Sequence, residues 1–133
     1  MDYFRTAFGG FDPQVDRDAA LKLSLDAIFA DARLGDLGAI LSSNSDVDGI
    51  EGEPGWILER RRDDDNGGYE GWPTLARFRS FVAPESYLLG HPEFFCDAVT
   101  FQRYASAILK VFSERHPEEY ERAVLLNGLL EKL

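Results

Sequence analysis

"WPTLARFRSFV", residues 72–82, admits two readings, and the fold depends on the choice between them. With Pro73 at the first helical position, Leu75, Phe78, Phe81 and Val82 fall on one helical face. Read at a period of two, the stretch 75–82 fits the alternation of a strand almost as well. The helical reading makes the chain mainly α, a single-domain helical bundle over residues 1–133. The strand reading, joined to an alternating stretch near 56–62, makes it α+β with a small sheet drawn from residues 38–82.

The flanking sequence tips the expectation toward helices. Asp12 suits an N-cap and Pro13 the first helical turn, after which Leu21, Leu25, Ile28, Phe29 and Ala32 form one apolar stripe. This predicts a helix over 13–33, with Asp18, Lys22 and Asp26 on another face and Gly35 and Gly38 as its stop. "DLGAILSS", residues 36–43, reads as a shorter helical or irregular piece, and "LLGHPEFFCD", residues 88–97, as a turn-rich connector. Asp97 then caps a helix in which Phe101, Tyr104, Ala105, Ile108, Leu109 and Phe112 share a face. Pro117 restarts the chain, Glu118 and Glu119 favour the new helix dipole, and Ala123, Leu126, Leu130 and Leu133 face inward. The expected bundle packs the 98–115 and 117–132 helices on the 13–33 helix.

Residues 44–72 differ in kind. They hold six of the twelve glycines and nine of the twenty-four acids, which marks a long loop-rich excursion. Asn44, Asp46, Asp48 and Gly49 imitate the start of a calcium loop. The position that must supply a bidentate carboxylate is Gly55, so no metal site is expected. "ERRRDDD", residues 59–65, cancels its own charge, which weakens a nucleic-acid reading of Arg60 to Arg62. Tyr69 and Trp72 stand among these charges and are residue types that anchor interfaces.

No set of residues with the spacing of an enzyme emerges. His91 and Cys96 lack an orienting partner pattern, and Cys96 reads as a structural apolar group. No phosphate loop, dinucleotide fingerprint or nucleophile elbow occurs, so neither catalysis nor a cofactor is expected.

Composition bounds the rest. The 133 residues are 44% hydrophobic and carry seventeen aromatic residues, enough for a folded core. No apolar run reaches the roughly 18 residues of a membrane span, and the lone cysteine suits a reducing compartment, so a soluble, cytoplasmic chain is expected. Net charge is −10, and residues 1–53 carry eleven acids against four basic groups. Such a surface repels nucleic acid and anionic membrane and speeds encounter with a basic partner.

In its acidity, in the aromatic-rich "SYLLGHPEFFCDAVTFQRYASAILKVF" and in the helical "HPEEYERAVLLNGLLEKL", the chain resembles the immunity proteins of bacterial toxin systems, particularly those of contact-dependent growth inhibition. The resemblance implies a one-to-one complex with a cognate basic toxin domain, often a nuclease, that the chain neutralises. The expected contact residues are Asp46, Asp48, Glu51, Glu53, Asp63, Asp64, Asp65, Tyr69 and Trp72. An acidic adaptor or regulatory binding module is the alternative, and a small enzyme the third reading.

Overall fold

The computed structural model describes residues 3–53, 55–62 and 69–133. In chain order its elements are α1 (Phe4–Phe8), α2 (Ala19–Ala30), α3 (Leu34–Leu41), β1 (Gly49–Gly52), β2 (Trp56–Arg60), β3 (Phe78–Val82), β4 (Glu93–Cys96), α4 (Ala98–Arg115), a 3₁₀ turn (Pro117–Glu119) and α5 (Tyr120–Glu131). The four strands form an antiparallel meander in the order β1-β2-β3-β4.

The mainly α bundle is therefore corrected to α+β, the alternative raised by the sequence, with a sheet that runs from 49 to 96 rather than within 38–82. Residues 72–82 supply the reason. Pro73 opens a turn in which Ala76 N donates to Pro73 O at 3.0 Å. Leu75, which the helical reading turns inward, is 78% exposed. Phe78, Ser80 and Val82 are buried, while Arg79 and Phe81 between them face the other way. Arg79 decides the matter, because on a strand it lies between Glu59 of β2, at 2.6 Å, and Glu93 of β4, at 2.7 Å. A helix would bring neither carboxylate to it.

Three further expectations change. The 44–72 excursion holds two strands, and the 88–97 connector holds β4. The first long helix begins at Ala19, not near Pro13, because Asp12 and Asp16 close a turn: Asp16 Oδ2 accepts from Asp12 N at 2.9 Å, and Asp16 N donates to Asp12 O. Gly35 and Gly38 lie inside α3 instead of ending α2. The helix ahead of them ends at Ala30, and two residues on Ala32 takes the left-handed region at φ 54°, where Arg33 N reaches back to Ile28 O at 2.9 Å.

The helix α2 is the centre of the molecule. Ala19 to Leu25 are all buried, so it is covered on every side, by the sheet on one face and by α1 and α4 on others. Its one buried charge is accounted for. Lys22 Nζ lies 3.0 Å from Asp16 Oδ2, 3.5 Å from Asp18 Oδ1 and 3.1 Å from the Gly10 carbonyl. The Phe101 ring of α4 stacks on Phe78 of β3 at 3.8 Å between centroids. Asp97 caps α4 as expected, accepting from Thr100 N at 2.8 Å. The last helix, α5, packs on α4, as two helices joined by so short a link must, and on α3, where the sequence reading set it on the first long helix.

Candidate functional site

The alternation of the strands sorts their side chains onto two faces. Ile50, Trp56, Leu58, Phe78, Val82 and Cys96 point to the helices and are buried. The register places Glu51, Ile57, Phe81 and Glu93 side by side across the other face, with Gly49, Glu59, Arg79 and Phe95 in the next row. Ile57, Phe81 and Phe95 are only half-buried there, because among the described residues that face carries only the turn around Tyr69 and Trp72. A meander with one face on helices and one left open is a usual arrangement for antiparallel sheets. Apolar rings on the open side are less usual, since that side is ordinarily polar.

Charge on this face is partly neutralised at its centre. Burial of the Arg79 guanidinium works to lower its pKa, yet its hydrogen bonds to Glu93 and Glu59 outweigh this and hold the pKa above the ordinary value. Its guanidinium also lies 5.1 Å from the Phe81 ring centroid. Glu51 and Glu53, at the β1–β2 end, are exposed and have no ion-pair partner among the described residues. They border a depression of about 460 Å³ whose lining includes Ile57, Phe81 and Ala83.

Two glycines at the β1–β2 end stand where a side chain would collide with its neighbours. A Cβ on Gly52 would come within 2.7 Å of the Trp56 ring and 2.8 Å of Arg33 Nη1. Gly55 holds φ 150°, and a Cβ there would meet Ser86 Oγ at 2.6 Å.

The contact residues expected from the sequence separate into groups. Glu51 and Glu53 share the corner just described. Tyr69 and Trp72 sit at the other end of the same face, where Trp72 meets Phe95 edge-on at 5.4 Å, Tyr69 meets Trp72 at 4.9 Å, and Arg61 lies over Tyr69 at 5.4 Å. Asp46 is exposed on the α3–β1 loop. Asp48 is engaged within the fold, because its Oδ1 accepts from Arg62 Nε at 2.9 Å while the same guanidinium binds the carbonyls of Ser42 at 2.8 Å and Val47 at 2.6 Å. Asp63, Asp64 and Asp65 lie outside the described residues. The residues the sequence reading missed are Ile57, Glu59, Arg79, Phe81, Glu93 and Phe95, and their only signal was the period-two alternation around 56–60 and 78–82.

Two of the other chemical candidates, Cys96 and Tyr104, are held within the fold. Burial, with some help from Asp97, pushes the Cys96 thiol up to about 12, so it stays protonated at neutral pH, and His91 is exposed on the turn before β4. Tyr104 donates to Asp18 beside Lys22, and burial together with that carboxylate pushes the phenol up to about 12. Among the described residues no three His, Cys, Asp or Glu side chains come together in a group able to hold a metal ion. No described helix is long and apolar enough to cross a membrane. In comparison with known proteins, the chain matches no family, no curated protein and no solved structure.

Proposed function

We propose that this chain is an immunity-type binding protein that captures a basic toxin domain one to one in the bacterial cytoplasm, with the open face of the sheet as its contact surface. The observation that carries the reading is the make-up of that face: glutamates at one end with no ion-pair partner among the described residues, a half-buried row of apolar side chains, and an aromatic cluster at the other end. Interfaces combine these ingredients, with aromatic anchors at the centre and charge at the rim. The net charge of −10 adds a field that draws a basic protein in and keeps nucleic acid away. A nuclease groove built to hold phosphates would accept the same carboxylates, so its occupation by this face blocks substrate.

The test is genetic and biochemical. Co-expression with the toxin domain encoded beside its gene should restore growth, and the two chains should co-purify in equal amounts. Neither rescue nor co-purification, or a gene neighbourhood without a toxin domain, overturns the proposal.

A further inference from the structure

The depression at the β1–β2 end of the open face has a shape and charge that specify what enters it. We infer that it seats a lysine or arginine side chain of the basic partner; the inference rests on the partner-binding reading of this face. Its floor is hydrocarbon, with Ile57 and Phe81 adjacent in the sheet register and Ala83 beside them. Its rim holds Glu51 and Glu53. Long basic side chains bury their methylene stems against apolar surface while the charged head reaches a polar rim. Here the head meets two carboxylates, which form charge-assisted hydrogen bonds.

The accounting of charge distinguishes this corner from the rest of the sheet. Glu59 and Glu93 share Arg79, and Asp48 is held by Arg62. Glu51 and Glu53 have no cation among the described residues, so the fold leaves these two carboxylates for a cation from outside. An apolar side chain in the same place would strip water from both without compensation. The floor is also held fixed from below. Arg33 Nη1 donates to the Glu51 carbonyl at 2.8 Å and its guanidinium lies 5.4 Å from the Trp56 ring centroid, which ties the edge strand to the buried indole. A seat that is already formed loses little freedom when it is filled.

The experiment is a titration of the ¹⁵N-labelled full chain with acetyl-Gly-Lys-Gly-amide and, separately, with its norleucine counterpart. The lysine peptide should move the amides of Gly52, Glu53, Gly55 and Ile57 along saturable curves in the millimolar range, and norleucine should not. E51Q/E53Q, both exposed positions, should keep the spectrum of the fold and lose the shifts. Equal shifts with norleucine, shifts spread over all acidic surfaces, or shifts that survive in E51Q/E53Q overturn the seat. With the toxin domain in hand, E51Q/E53Q should bind at least about tenfold more weakly. Rescue by the native chain with undiminished binding by E51Q/E53Q overturns the seat and leaves the immunity reading standing. Failure of rescue with a saturable lysine response overturns immunity and leaves the seat.

Discussion

Ala32 holds φ 54° just past the end of α2, a conformation that costs an L-residue with a side chain about 1–2 kcal/mol. The chain still turns there, because Arg33 N donates back to Ile28 O and Leu34 is buried at the start of α3. Glycine would remove the strain at a smaller cost in chain entropy, so A32G should raise the stability of the fold by about 0.5–1 kcal/mol in urea unfolding. A loss of stability would show that the surroundings, and not the backbone, set this turn. Arg62 presents a comparable case at the level of a single side chain. In sequence it belongs to a self-neutralising "RRRDDD" block; in the fold it reaches back to Asp48 and to the carbonyls of Ser42 and Val47 and pins the acidic loop. Its neighbour Arg60 binds the Ile40 and Leu41 carbonyls at 3.0 and 2.9 Å, where cations complement a helix C-terminus. Pairings across some twenty residues cannot be read from spacing, which is why these arginines passed as a solvated run.

The helix α5 is apolar on two sides. Ala123, Leu126 and Leu130 face the interior, while Tyr120, Val124 and Leu125 are exposed. Leu126 and Leu125 therefore provide a paired test within one turn of one helix. Leu126→Ala, at 3% exposure, should cost about 2–5 kcal/mol, and Leu125→Ala, at 71% exposure, less than about 0.5 kcal/mol, both by chemical denaturation. Equal losses would mean that α5 packs differently. At this scale the sequence was most legible where periodicity was long and sharply capped. The helix at 98–115 emerged with its bounds and its Asp97 cap, since eighteen residues repeat one apolar stripe. The four- and five-residue strands emerged only as the alternative reading, a small sheet within 38–82. Each is too short for a period of two to be told from that of a helical turn, and "FRSFV" satisfies both patterns until Glu59 and Glu93 are placed on either side of Arg79. The candidate site inherited this ambiguity. Glu51, Glu53, Tyr69 and Trp72 were found by residue type, whereas Ile57, Phe81 and Phe95 required the sheet to show that they share a face.

For the whole molecule, the consequence of an acidic surface is kinetic. A net charge of −10 acts over about a Debye length of 8–10 Å at physiological salt, so the carboxylates nearest the contact face dominate the approach of a basic partner. Asp46, Glu51 and Glu53 are exposed and unpaired among the described residues; Asp48 is committed to Arg62, and its replacement would loosen the loop instead. The triple variant D46N/E51Q/E53Q should therefore slow association by about tenfold at low ionic strength and flatten its dependence on salt. Trp72 acts at the other end of the face and by another mechanism. Its ring is half-buried against Phe95 and Tyr69, so it presents a preordered aromatic surface whose contribution appears after encounter. W72A should leave the association rate and its salt slope as they are and speed dissociation by about thirtyfold, the equivalent of the 2 kcal/mol expected of an interface anchor. Surface plasmon resonance against the captured toxin domain at low and high salt separates the two effects. A W72A complex that dissociates at the native rate would place the contact away from this end of the sheet. A triple variant whose association keeps its full salt dependence would assign the steering to other acids of the chain.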